Sequence, residues 1–223
     1  MNNNSYSNAA SGIRKVFTSE ILDIINVIPI FIAVVLTAAA AAAGVLSLSG
    51  NTEADGIFTG VLIGALVAFI IFIVLAIISF ILKLVGLSKA GKDHVYFKYA
   101  FGLVFIGILL VIGSSIFTAY PVVSSLMSTG KEVVDVIIMI FTVYGCMQLL
   151  AEKGNESMVY SGFTVVNVMI FVNILSVIAR LIPSFMVVGS IIGTIFMGFY
   201  AALTIVSGLM YLVFLNRSAK ALA

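Results

Sequence analysis

Six long apolar stretches follow one another along this chain, and the short segments between them hold most of its charged residues. A helix needs about 20 consecutive apolar residues to cross a bilayer. Because lipid cannot satisfy exposed backbone polar groups, such stretches form helices. We therefore predict an all-α polytopic integral membrane protein with six transmembrane helices, at about residues 24–46, 57–84, 96–118, 132–151, 159–181 and 186–215.

The composition favours a membrane protein over a soluble domain. Apolar residues make up 62% of the 223 residues, charged residues make up 9%, and the mean hydropathy is +1.28. A soluble domain is nearer half apolar. The lone Cys146 lies inside an apolar stretch, which argues against a disulfide framework or a Cys-based metal site. We expect the lipid bilayer as partner, and no cofactor, metal or nucleic acid.

The most basic segment, residues 86–98, has a fainter copy at residues 149–161. A shift of 63 positions aligns Gly91 with Gly154, Asp93 with Glu156 and Phe97 with Tyr160. Residues 216–220 resemble the first half of the same turn. These segments predict three parallel hairpin repeats, related by an axis along the membrane normal. The hairpins, at about 24–84, 96–151 and 159–215, form a domain at 24–215 between an N-terminal segment at 1–23 and a tail at 216–223.

The segments outside the spans carry further expectations. Residues 1–12 are polar and uncharged, which predicts a flexible lead-in. Residues 13–26 are typical of an amphipathic helix that lies on the membrane surface or runs straight into the first span. Residues 122–130 contain several Ser and predict a loop. In the basic turn, Gly91 suits a helix C-cap and Asp93 suits the N-terminal side of the next helix.

The distribution of Lys and Arg predicts the orientation. Nine of these residues lie on the side that holds the basic turns and both termini, and only Lys131 and Arg180 lie on the other side. Cytoplasmic loops of membrane proteins are enriched in Lys and Arg. We therefore expect a multi-pass protein of the cell membrane with its N- and C-termini in the cytoplasm.

Glycines four residues apart mark candidate sites of close helix packing. Such glycines form a flat stripe that lets another helix approach backbone to backbone. Packing within the chain is the simpler interpretation, and a homo-oligomer or a second membrane protein is the alternative. The stripes contain Gly56, Gly60 and Gly64 in the second span, and Gly189 and Gly193 in the sixth.

Polar residues inside the spans are few. They predict either hydrogen bonds between helices, the interpretation we favour, or a polar path for a solute. The candidates for such a path are Asn173, Ser176, Thr142 and Thr204. We also expect an ion pair between Asp135 and Arg180, since both lie near the exterior ends of neighbouring antiparallel spans. The pair would act as a clamp between helix ends or, alternatively, as an outer gate.

Catalytic signatures are missing from the sequence. It contains no His-Glu-x-x-His motif, and its spans hold no paired carboxylates near the membrane midplane. Ser114 lies in a Gly-Ser-Ser sequence, but no membrane-embedded His or Lys is present to activate it. We predict that the protein is not an enzyme and has no catalytic residues.

The turn Gly-Leu-Ser-Lys-Ala-Gly-Lys-Asp-x-x-x-Phe-Lys at 86–98 resembles that of some uncharacterised prokaryotic multispanning membrane proteins built from repeated helical hairpins. The resemblance implies a prokaryotic origin and no particular activity. From the residues, we predict a non-enzymatic protein that works through helix contacts, as a membrane subunit, an accessory or immunity-type partner, or a scaffold. The alternative is a small-solute transporter or channel lined by small and polar helix faces.

Overall fold

A computed structural model describes the backbone of residues 6–48, 52–181 and 191–223, and the side chains of residues 6–42, 58–176 and 198–223. Within these ranges the chain is all-helical and contains no strand. The helices are α1 (Ser7–Ile25), α2 (Val27–Leu48), α3 (Thr52–Ala90), α4 (Val95–Ile116), α5 (Pro121–Glu152), α6 (Glu156–Leu181) and α7 (Ile191–Leu222).

Six of the described helical segments are long and apolar enough to cross a membrane, with α1 and α2 counted as one segment. This confirms the predicted all-α fold with six membrane-spanning helices. The parallel arrangement of three hairpin repeats stays a prediction. The two turns that the repeat aligns differ in their backbone, because Gly154 has a φ of 71° and Gly91 has no such positive φ.

Helix α3 is far longer than a bilayer is thick. Its 39 residues extend about 58 Å at 1.5 Å per residue, which is nearly twice the hydrocarbon thickness of about 30 Å. The helix therefore continues beyond the bilayer into the basic turn, where it ends at Ala90. There the N–H of Gly91 donates a hydrogen bond to the carbonyl of Leu87.

The chain forms two compact units. The smaller, Thr18–Lys83, contains the end of α1, all of α2 and most of α3. Its described side chains are mostly exposed and apolar, as expected of helices whose outer faces meet lipid. Polar contacts within this unit include a hydrogen bond from Ser79 to the carbonyl of Ser19 and an ion pair in which Lys83 lies 2.9 Å from Glu20.

The larger unit combines Met1–Phe17 with Leu84–Ala223. Its core lies where α3, α5 and α7 end and where α1, α4 and α6 begin. Among the largest fully buried side chains are Phe97, Phe214, Ile13, Leu87, Leu149, Leu150 and Leu215. Toward the opposite ends of these helices, side chains such as Ile116 and Leu126 are exposed. The described side chains of this unit are therefore most buried at the end that holds the turns at residues 91–94 and 153–155.

The prediction of a flexible lead-in at residues 1–12 is wrong from Ser7 onward. Helix α1 begins there, and Ala9 and Ala10 are buried in the core. The sequence 1–12 is polar overall, but its two small apolar residues pack against other helices. Helix α1 then runs into α2 through Asn26, as one of the two alternatives predicted. Pro29 lacks the N–H that would bond Ile25, which explains the interruption at this point.

The prediction of a loop at residues 122–130 is also wrong, because this segment forms the start of α5. Pro121 is the first residue of the helix, a position where its fixed φ and missing N–H cost nothing. The hydroxyl of Ser124 donates to the carbonyl of Ser114 in α4, and that of Thr129 donates to the carbonyl of Ser125. The polar side chains that suggested a loop thus find backbone partners around the helix.

Candidate functional site

In the larger unit, α1 crosses the end of α3 with the two backbones close together. A Cβ built on Gly12 would lie 2.5 Å from the carbonyl oxygen of Gly86 and 2.7 Å from the nitrogen of Ala90. A Cβ built on Gly86 would lie 2.7 Å from the carbonyl oxygen of Gly12. Since the nearest atom on each side is a backbone carbonyl oxygen, side-chain movement alone could not make room. Glycine is required at both positions for α1 to pack here.

Polar contacts hold the first turns of α1 beside this crossing. The carboxylate of Asp93 accepts hydrogen bonds from the N–H of Ala9 (2.6 Å) and from the side-chain amide of Asn8 (3.1 Å). Lys89 donates to the hydroxyl of Ser11 at 2.9 Å, and the hydroxyl of Tyr6 donates to Glu152. A carboxylate is favourable at a helix N-terminus because the free N–H groups there carry partial positive charge.

Asp93 stands on the N-terminal side of α4, as predicted, but its side chain bonds to the N-terminus of α1. The N-cap of α4 is His94, whose Nδ1 accepts the N–H of Tyr96. Asp93 stands one residue earlier, and its side chain reaches α1 instead. From sequence, an acidic residue just before a helix indicates a local cap, and only the tertiary fold reveals a second helix N-terminus within reach.

Two further glycines receive side chains from neighbouring helices. A Cβ built on Gly145 of α5 would lie 2.7 Å from the ring of Phe97 in α4. A Cβ on Gly162 of α6 would lie 2.7 Å from the sulfur of Met147 in α5. Phe97 and Met147 are both buried. Helix α5 thus lies between α4 and α6, with its own glycine and methionine at the two contacts.

The glycines predicted to mediate packing stand in mixed surroundings. No described atom lies within 4 Å of a Cβ built on Gly60, whereas one on Gly64 would lie 3.2 Å from Leu36 of α2. Gly189 and the surroundings of Gly56 and Gly193 lie outside the described residues and side chains. Within the second span, the close approach is therefore at Gly64, where a leucine side chain covers the glycine.

A groove runs between α2 and α3 in the smaller unit. Its volume is about 500 Å³, and most of its lining is apolar, with alanines on both helices. The one hydroxyl among its described lining residues, that of Thr37, donates to the carbonyl of Ala33 in its own helix. The groove is lined by Ala33, Thr37, Ala40, Ala41, Phe58, Leu62, Ala65, Leu66 and Phe69. Such a surface can accept an apolar chain or a helix, but it offers little to hold a polar solute.

The four residues proposed for a polar path do not come together around one described cavity. Thr142 is fully buried, and its hydroxyl donates to the carbonyl of Ile138. Thr204 is exposed on α7, and its hydroxyl donates to the carbonyl of Tyr200. Asn173 and Ser176 of α6 are half-buried. Both threonine hydroxyls are therefore used within their own helices.

Asp135 lies 2.6 Å from Lys131, four residues earlier on α5. Both side chains are more than 40% exposed, so this pair contributes little to stability. The side chain of Arg180 lies outside the described residues, and its pairing with Asp135 stays a prediction.

Residues 86–92 also have the glycine and lysine spacing of a phosphate-binding loop, Gly-x-x-x-x-Gly-Lys, with Asp93 in place of the usual Ser or Thr. Such a loop connects a strand to a helix. Here residues 86–90 are the last turn of α3, and Gly86 is covered by α1. The segment cannot cradle a phosphate in this conformation.

The described helices define the class of this protein: an all-α chain with six segments that are long and apolar enough to cross a membrane. Among the described residues, no group of three His, Cys, Asp or Glu side chains could hold a metal ion. Comparison with models of known protein families, with curated proteins and with solved structures found no match to this chain. The resemblance of residues 86–98 to prokaryotic hairpin proteins therefore stays a prediction.

Proposed function

We propose that this is a non-enzymatic integral membrane protein that works through helix contacts, as a subunit, an accessory or immunity-type partner, or a scaffold. The observation that carries the proposal is the open groove between α2 and α3, which is lined by alanines and large apolar side chains. Small residues let a further helix come close, and van der Waals packing then drives association in lipid. The occupant is a helix of a second membrane protein or of another copy of this chain.

The chemistry of the groove supports this function over solute transport. A carrier would need polar side chains that replace the hydration of its solute. The described lining of the α2–α3 groove has one hydroxyl, already bonded within its helix, and no charged residue. In the core of the larger unit, atoms of neighbouring helices pack against the glycines, which leaves little space there for a solute. A small-solute transporter or channel is therefore the second candidate.

Cross-linking in native membranes tests the proposal. Phe69 lines the groove, whereas Ile71 lies on the opposite face of α3 only about 3 Å further along the axis. The two side chains are equally available, at 49% and 47% exposure. In a Cys146→Ala background, we expect Phe69→Cys to form a cross-linked product with a second membrane protein or a second copy. The matched Ile71→Cys variant should give no such product.

The same cysteines distinguish the two functions. A groove filled by a helix or lipid contains no water, so a membrane-impermeant maleimide should not label Phe69→Cys. Rapid labelling, with no cross-linked product, would contradict the proposal and favour a water-filled path for a solute. Equal cross-linking from both faces would mean that the contacts are random collisions.

The orientation in the membrane is a further part of the proposal, carried by the excess of Lys and Arg on the side of the basic turns. We expect reporter fusions at the C-terminus and after Lys92 to report cytoplasm, and an insertion at Asn51 to report the exterior. A C-terminal fusion that reports the exterior would overturn the six-span topology and the cytoplasmic location of both termini.

A further inference from the structure

A second groove lies between α6 and α7 in the larger unit. Its volume is about 290 Å³. Most of its lining is apolar, including Val165 of α6 and Leu209, Met210 and Phe214 of α7. Several of these side chains, such as Leu209 at 55% exposure, lie at the surface of the helix pair. The groove is therefore open to the surrounding lipid along its length.

One end of this groove is polar and positively charged. Arg217 and Ser161 lie there, the first five residues before the end of α7 and the second five residues after the start of α6. Because α6 and α7 are antiparallel, these positions are at a similar height. Arg217 is exposed and forms no ion pair among the described residues. Its guanidinium is thus available to a phosphate group, which it can bind through two hydrogen bonds.

The length of the groove matches one leaflet of a bilayer. Its lining on α7 runs from Val206 to Arg217, a distance of about 16 Å at 1.5 Å per residue. Half of the hydrocarbon core is about 15 Å thick. The groove thus fits a single lipid molecule in charge and in length. The headgroup would lie at Arg217, and one acyl chain would lie in the apolar part of the groove.

We propose that the α6–α7 groove binds an anionic phospholipid from the leaflet on the side of the basic turns, with Arg217 at its phosphate. This inference is independent of the proposed function, since the two grooves lie on different helices. By the predicted orientation, the leaflet is the cytoplasmic one, whose anionic lipids attract basic residues near the surface. The negatively charged headgroup interacts favourably with Arg217 through its phosphate. The acyl chain packs in the apolar groove, a contact that a free phosphate ion cannot make.

Native mass spectrometry of the delipidated protein in mild detergent tests this site. The probes are dioleoyl phosphatidylglycerol and dioleoyl phosphatidylcholine, which differ only in their headgroups. We expect the first phosphatidylglycerol to bind several-fold more tightly. Arg217→Gln should weaken its binding by about fivefold, the equivalent of the roughly 1 kcal/mol that one basic residue contributes near an anionic surface. Arg217→Lys should retain most of the preference.

Two further variants separate a specific site from general attraction. Lys220→Gln removes an equal charge one turn away, on an exposed residue that does not line the groove, and should leave binding nearly unchanged. Val213→Phe adds bulk to the groove at a half-exposed position and should weaken binding of both lipids. Added inorganic phosphate should not displace the lipid.

The proposal is overturned if Lys220→Gln weakens phosphatidylglycerol binding as much as Arg217→Gln does, if the two lipids bind equally, or if Val213→Phe has no effect. Displacement by inorganic phosphate would also overturn it, because the ligand would then be a free anion. None of these results bears on cross-linking at Phe69, so this inference and the proposed function can fail separately.

Discussion

Replacing Gly12 or Gly86 with alanine is expected to lower the stability of the protein by about 1–3 kcal/mol, the usual cost of overpacking a filled site. The added methyl group would meet backbone atoms at 2.5–2.7 Å, so α1 must move away from α3. In a thermal unfolding measurement in mild detergent, this corresponds to a decrease in Tm of roughly 2–12 °C.

The controls for this prediction are glycines in open surroundings. No described atom lies within 4 Å of a Cβ built on Gly60 or Gly102. Gly60→Ala and Gly102→Ala should therefore be neutral, or stabilising by up to about 1 kcal/mol, because alanine is the better helix former. The double variant Gly12→Ala/Gly86→Ala should lose less than the sum of the single losses, since one methyl group already separates the helices. Single variants as stable as the controls would show that α1 does not cross α3 at these glycines.

The second large effect is expected at Gly145. A methyl group there would lie 2.7–3.0 Å from three carbon atoms of the Phe97 ring. The ring is fully buried and cannot turn aside, so we expect Gly145→Ala to destabilise the protein by about 1–3 kcal/mol. Phe97→Leu shortens the opposing side chain, and the double variant should recover part of the loss. Thermal unfolding of the two single variants and the double variant measures this coupling.

Gly162 provides the comparison for Gly145. A methyl group there would meet Cγ and the sulfur of the buried Met147, and it would lie 3.1 Å from the buried ring of Phe214. Gly162→Ala should therefore also destabilise the protein, by about 1–3 kcal/mol. If the stability losses of Gly145→Ala and Phe97→Leu simply add in the double variant, the Phe97 ring and Gly145 are not in contact.

The helices of this protein could be predicted from sequence because each depends on a local property. Twenty apolar residues in a row have one stable conformation in lipid, wherever their neighbours lie. The same reasoning failed at residues 7–12 and 122–130, where polar composition suggested irregular structure. Ala9 and Ala10 are buried by helices distant in sequence, and Pro121 begins a helix whose serine and threonine hydroxyls bond to backbone carbonyls.

The contacts between helices were harder to predict for a related reason. Glycine spacing identifies a smooth helix face but not its partner, and among the described positions of the second span only Gly64 lies against a side chain of another helix. Neither Gly12 nor Gly86 has a second glycine four residues away, so a search for paired glycines does not find their crossing. Likewise, the role of Asp93 depends on α1 lying within reach, which no local pattern reveals.

The hydrogen bonds between Asp93 and the first turn of α1 determine when α1 can pack during synthesis of the chain. The two groups are separated by 84 residues, which a ribosome adds in about 4–17 s at 5–20 residues per second. During that interval the apolar segments of α2 and α3 leave the ribosome, while Ala9, Ala10 and Ile13 still lack the surfaces that later bury them. The newly made N-terminal helix therefore cannot yet form its contacts with Asp93 and the core. It joins the bundle only after the first hairpin has been synthesised.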